Sequence, residues 1–114
     1  MDILAETKKL ILKKRDEGRF LSDPELLRLG FKKRELTTEE KSLYNVHQFD
    51  SSTCYFAKDD TYDITVLERS WDRSKSFQLR GDRIEITLIA KNVKSGEVIQ
   101  EKFDWNEKSI FGGD

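Results

Sequence analysis

Single residues of cysteine, histidine, proline and methionine narrow the chemistry open to this chain. One cysteine forbids an internal disulfide. One cysteine with one histidine cannot build a Cys/His zinc site within one chain. So little cysteine gives a reducing cytoplasm as the expected setting. No run approaches about 18 apolar residues, so no helical membrane span is expected. Met1-Asp2-Ile3-Leu4 does not read as a secretory signal, because no basic stretch leads into an apolar one. An excess of one charge is missing too: 21 Lys and Arg stand against 22 Asp and Glu, for a formal net charge of −1. A chain that coats nucleic acid over its whole surface is clearly basic and a DNA mimic clearly acidic, so neither description fits globally. There is no Gly-x-Gly-x-x-Gly, P-loop, Gly-x-Ser-x-Gly or His-Glu-x-x-His, so no cofactor or metal is expected and nothing names an enzyme.

Charged residues make up 38% of the 114 positions and apolar ones 36%, with 11% aromatic. That is lean but sufficient for one small core, and the aromatics argue against disorder. One α+β domain over residues 1–114 is expected: about three N-terminal helices (about 1–50) packed on a C-terminal antiparallel sheet of four to five strands (about 52–105), with a tail at 106–114.

The first helix is expected over about Asp2 to Glu17. Ile3, Leu4, Thr7, Leu10 and Ile11 share a face, Lys9, Lys13 and Asp16 point away, and Gly18 is the stop. Ser22-Asp23-Pro24-Glu25 reads as a capping box, stapled by Leu21 and Leu26, and opens a short helix that ends at Gly30. Thr37-Thr38-Glu39-Glu40 opens a third, running through Leu43, Tyr44 and His47 to about Gln48.

Beyond Asp50 the apolar period changes to 2. Cys54-Tyr55-Phe56 and Ile64-Thr65-Val66-Leu67 read as strands joined at Lys58-Asp59-Asp60-Thr61. A second hairpin turns at Ser95-Gly96. Read as a two-residue loop, it pairs Val93 with Val98, Leu88 with Phe103 and Ile86 with Trp105. Ile86, Leu88, Phe103 and Trp105 then form one face for the helices to cover. Glu85, Thr87, Lys91, Lys102 and Asp104 form a face that reads as solvated or as an interface. Phe77 to Arg80 is a further short strand, and Ile110 and Phe111 in the tail are placed to dock on the core or a partner.

The strongest uneven feature is the charge of residues 8–34, where ten cations stand against four carboxylates. Lys8, Lys9, Lys13, Lys14, Arg15, Arg19, Lys32, Lys33 and Arg34 are therefore the candidate partner-binding residues, with Trp71 as an aromatic anchor beside the charged Asp72-Arg73-Ser74-Lys75. The bland reading of such a run is a solvated helix face. The sharper reading is contact with an anionic partner, either protein or nucleic acid. Leu26-Leu27-Arg28-Leu29-Gly30-Phe31 resembles the first helix of a helix-turn-helix. The helix after it offers Thr38, Glu39 and Glu40 with only Lys41, and carboxylates there repel phosphates. Cys54 with His47 lacks any elbow or oxyanion loop and reads as packing. Asp59, Asp60 and Asp63 lack the glycine and distal glutamate of a calcium loop. The expected function is a non-catalytic protein-binding module, a small intracellular inhibitor that occludes a macromolecular partner, of the phage counter-defence or immunity-protein type. The rival is a nucleic-acid-binding protein using residues 8–34.

Overall fold

The computed structural model describes residues 2–43, 51–71 and 83–107. The side chains of Lys41, Leu43, Ser51 and Trp71 are not among those described. Helices α1 (Ile3–Glu17), α2 (Asp23–Arg28) and α3 (Thr38–Leu43) accompany strands β1 (Lys32–Arg34), β2 (Ser51–Lys58), β3 (Tyr62–Trp71), β4 (Arg83–Asn92) and β5 (Val98–Asn106). The strands form one antiparallel sheet in chain order. This is the expected α+β arrangement, with one difference: the N-terminal part is not wholly helical, because β1 lies between α2 and α3 and pairs Lys33 with Tyr55. That strand also removes the helix-turn-helix, since α2 leads through Gly30 into a sheet edge and not into a second helix.

Local chemistry explains the helix ends. Asp2 accepts from the Ala5 amide at 3.1 Å and caps α1. Gly18 closes it at φ 66°, with the Gly18 and Arg19 amides bonded back to Arg15 and Lys14. Thr7, fully buried in α1, donates to the Ile3 carbonyl at 2.6 Å and so leaves no orphan hydroxyl. α2 ends in a Schellman motif. The Phe31 amide bonds the Leu26 carbonyl, the Gly30 amide bonds that of Leu27, and Gly30 takes φ 99°. The capping box expected at Ser22 does not form. Ser22 makes no side-chain cap, and Glu25 is drawn instead to Lys14 of α1 at 2.7 Å.

The box at α3 does form. The Glu40 amide donates to Thr37 Oγ1 at 3.1 Å, and the Thr37 amide donates to Glu40 Oε1 at 3.0 Å. Replacing Thr37 by alanine is expected to cost about 1 kcal/mol in urea unfolding. The expected continuation of this helix through Tyr44, His47 and Gln48 lies outside the described residues, as do the Phe77–Arg80 strand and Ile110 and Phe111.

The main core lies between α1, α2 and one sheet face. Ile11, Leu21, Leu26 and Phe31 pack on Tyr55, Ala57, Ile64, Val66, Ile84, Ile86, Leu88 and Trp105. Trp105 Nε1 donates to the Arg19 carbonyl at 3.0 Å and ties the end of α1 to β5. A smaller cluster of Leu36, Cys54 and Leu67 lies on the opposite sheet face.

Two expectations are corrected here. The β4–β5 register is displaced by two residues: Ile86 faces Phe103, Ile84 faces Trp105 and Lys91 faces Val98. The cause is Asn92, whose side-chain oxygen accepts from the Lys94 and Ser95 amides. The Gly96 amide then returns to the Asn92 carbonyl at 2.8 Å with Gly96 at φ 76°, so a longer loop replaces the two-residue turn. The displacement is even, so every side chain keeps its face. The second correction concerns the far face, which is not simply solvated. Thr87 and Arg69 are buried there, and Arg69 pairs with Glu85.

Candidate functional site

Helical spacing places Glu6, Lys9, Leu10 and Lys13 along one side of α1. The Schellman turn after α2 sets Glu25, Arg28 and Leu29 opposite them. Together they line an open groove of about 310 Å³ between the two helices. Leu10 and Leu29 give it apolar walls, and both are half-buried against the core. Its two carboxylates are already engaged, Glu6 with Lys9 at 3.6 Å and Glu25 with Lys14 at 2.7 Å. The Lys14 hydrogen bond is the main reason the Glu25 carboxyl sits below its ordinary pKa. Lys13 and Arg28 have no carboxylate within ion-pair distance among the described residues. The groove therefore presents two cations outside ion-pair distance of an acid beside two leucines, although the charge of each is felt by Glu25 and helps to hold its carboxyl low.

The remaining cations of the 8–34 run are dispersed. Lys8 crosses from α1 to Glu101 of β5 at 2.7 Å. Lys14 is largely covered, between Glu17 at 3.6 Å and Glu25. Arg15 lies 3.5 Å from Asp16. Lys33 donates to Asp23 at 3.2 Å. Asp23 also accepts from the Tyr55 hydroxyl, and that bond, with Lys33 next, holds its carboxyl below the usual range. Arg34 grips Glu40 with both terminal nitrogens at 2.8 and 2.9 Å and, with the Thr37 amide, holds the Glu40 pKa at about 2. Arg19 and Lys32 are exposed, with no ion pair among the described residues. Trp71 ends β3 opposite Arg83 of β4.

The structure thus brings Lys9 and Lys13 together. It ties Lys8, Lys14, Lys33 and Arg34 to acids on other elements, and leaves Arg19 and Lys32 apart. Arg28 belongs to the same charge run, but sequence reasoning missed it as a contact residue. Its signal is positional: it falls in the last turn of a short helix packed against α1.

Cys54 is fully buried, and burial pushes its thiol pKa up, which opposes thiolate formation. Its suggested partner His47 lies outside the described residues. Among the described residues no three His, Cys, Asp or Glu side chains gather as metal ligands. Asp59 spends Oδ1 on the Thr61 and Tyr62 amides, both at 2.8 Å, and so serves the β2–β3 turn. No helix among them is long and apolar enough to cross a membrane. Compared with known protein families, curated proteins and solved structures, the chain matches none.

Proposed function

We propose that this chain is a non-catalytic protein-binding module, a small inhibitor that occludes the surface of a macromolecular partner, as phage counter-defence and immunity proteins do. In this reading it works in the cytoplasm, and its contact surface is the α1–α2 side. The groove carries the reading: Lys13 and Arg28 stand outside ion-pair distance of any carboxylate among the described residues, beside Leu10 and Leu29. An acidic side chain of the partner completes the two ion pairs, while an aliphatic or aromatic one covers the leucines. Lys8, Lys14 and Lys33 are paired within the fold, with Glu101, Glu25 and Asp23, and are the less available for a partner.

A nucleic-acid reading draws on Lys13, Arg19, Arg28 and Lys32, the cations of this run without an ion pair among the described residues. Glu6 and Glu25 line the same groove and repel a phosphate as they repel an acidic protein side chain, so the charges of the groove do not choose between the two readings. Titration with duplex and single-stranded DNA and RNA at two salt concentrations separates the two. Little binding is expected at low salt. Tight binding lost steeply with added salt establishes the rival.

Protein contact is tested with the immobilised full chain and its Lys13→Glu/Arg28→Glu variant. A protein retained by the first is purified and titrated against both. The variant is expected to bind at least about tenfold more weakly, equivalent to about 1.4 kcal/mol. Equal affinity removes the groove as the contact, and turnover of a substrate by the purified chain removes the non-catalytic reading.

A further inference from the structure

The two edges of the sheet differ. β1 has three residues, Lys32, Lys33 and Arg34, all exposed cations. A copy of β1 laid beside it sets positive groups against one another, which protects that edge. β5 has nine residues and no proline. β4 fills one of its sides, and among the described residues no strand fills the other. Val98 and Ile99 at its start are 55% and 39% exposed. Its charges alternate in sign along the chain, from Glu101 to Lys102 to Asp104.

A second copy brought to this edge by a two-fold axis perpendicular to the sheet must pair residues of like face. Centring on Glu101, Lys102 or Asp104 sets that charge against itself. Centring on Gln100 brings no opposite charges face to face, since it pairs Ile99 with Glu101 and Val98 with Lys102. Centring on Phe103 places Lys102 opposite Asp104 twice, Glu101 opposite Trp105, Gln100 opposite Asn106 and Ile99 opposite Glu107, with the two Phe103 residues facing each other on the helix-bearing face, and it is the register that matches opposite charges. Asp104, which Arg83 holds at 2.6 Å, then receives a second cation. α1 lies over this edge, since Lys8 reaches Glu101. Leu12, one turn beyond Lys8, is 37% exposed.

We propose that two copies of this chain pair antiparallel along β5 in the register centred on Phe103, joining their sheets into one. Main-chain hydrogen bonds hold the strands, and the reciprocal Lys102–Asp104 pairs select the register.

Sedimentation velocity over about three decades of concentration tests this with the full chain and two charge reversals. The wild-type chain is expected to show a monomer–dimer equilibrium. Lys102→Glu and Asp104→Lys are each expected to stay monomeric, because each sets like charges face to face. Mixed in equal amounts they are expected to dimerise again, since the new carboxylate at 102 meets the new ammonium at 104 and the native pair completes the other half. Circular dichroism establishes that each variant is folded. Should Asp104→Lys fail to fold, Phe103→Cys serves instead: on oxidation it is expected to form a symmetric disulfide dimer, whereas Val98→Cys is not. A wild-type chain that is monomeric throughout, a dimer indifferent to Lys102→Glu, a mixture that does not reassociate, or a Phe103→Cys chain that does not cross-link overturns the proposal.

Discussion

Replacing Phe31 by alanine is expected to lower the free energy of unfolding by about 3–5 kcal/mol, read as a fall in denaturant midpoint. Phe31 is 1% exposed and sits where three elements converge. Its amide closes the Schellman turn on Leu26, its ring joins Leu26 in the core, and β1 begins at the next residue. Truncation leaves a void bounded by helix and sheet, and the buried residues around it cannot all move to fill it. The same substitution at Phe103 is expected to cost clearly less, because that ring is only half-buried at the sheet edge. That difference is the one expected at low concentration, where the chain is monomeric; pairing along β5 adds a loss at Phe103 that grows with chain concentration.

The second large effect depends on pH. Glu68 of β3 faces the helices and accepts from the Leu21 amide at 3.0 Å. Burial raises its pKa to about 7, and the Asp23 carboxylate adds to the rise, while the Leu21 bond and Lys33 oppose it. Tyr55 beside it is also pushed up, by burial and then by its bond to Asp23. A folded-state pKa above the unfolded value means that the folded state binds the proton more tightly. Glu68 therefore contributes stability that is complete below about pH 4.5 and lost as pH rises through about 7. Above that point a buried carboxylate is ionised near Asp23. Glu68→Gln keeps an acceptor for Leu21 without the charge, and is expected to be more stable than the wild-type chain by about 2–3 kcal/mol above pH 7. Below pH 4.5 the difference is expected to vanish or reverse. Urea unfolding at intervals between pH 4 and pH 9 reads the two curves, and a gap that does not change with pH removes the argument. Asp23, Glu25, Glu40 and Asp59 have depressed pKa values and act in the opposite sense, losing stability as pH falls. Both chains share them, so Glu25, Glu40 and Asp59 cancel from the gap, which reads Glu68 together with its coupling to Asp23.

How much of the fold is legible in the sequence depends on the range of the interaction responsible. The ends of α1, the box at Thr37 and the turn at Asp59 depend on neighbours within five residues, and composition reveals them. β1 has no apolar residue and no periodicity. Lys32, Lys33 and Arg34 become a strand only because β2 offers an edge to pair with, which no local pattern encodes. The Ser22 box is lost for a similar reason: Lys14, from another helix, outcompetes the Ser22 region for Glu25. Asn92 shows a subtler loss. Its side chain reshapes the loop and moves the pairing by two positions, yet facial alternation survives, so the core residues of β4 and β5 are legible while their partners are not.

The candidate surface is legible as a charge excess and no further. Which cations stay unpaired is decided by acids on other elements, Glu101 of β5 for Lys8 and Glu25 of α2 for Lys14, so the run alone does not single out Lys13 and Arg28.

The meander bears on how the chain assembles. Its strands pair in the order in which they occur along the chain, so most of the sheet can zip up through hairpins with little loop-closure entropy. The bond from Trp105 to the Arg19 carbonyl spans 86 positions and is of another kind. Like the Lys8–Glu101 pair, it brings the beginning of the fold to β5, a contact of high sequence separation that forms late. During synthesis α1 must wait for β5 before its apolar face is fully covered. In that interval the chain is a set of hairpins with an open flank, the state most exposed to mispairing with its neighbours.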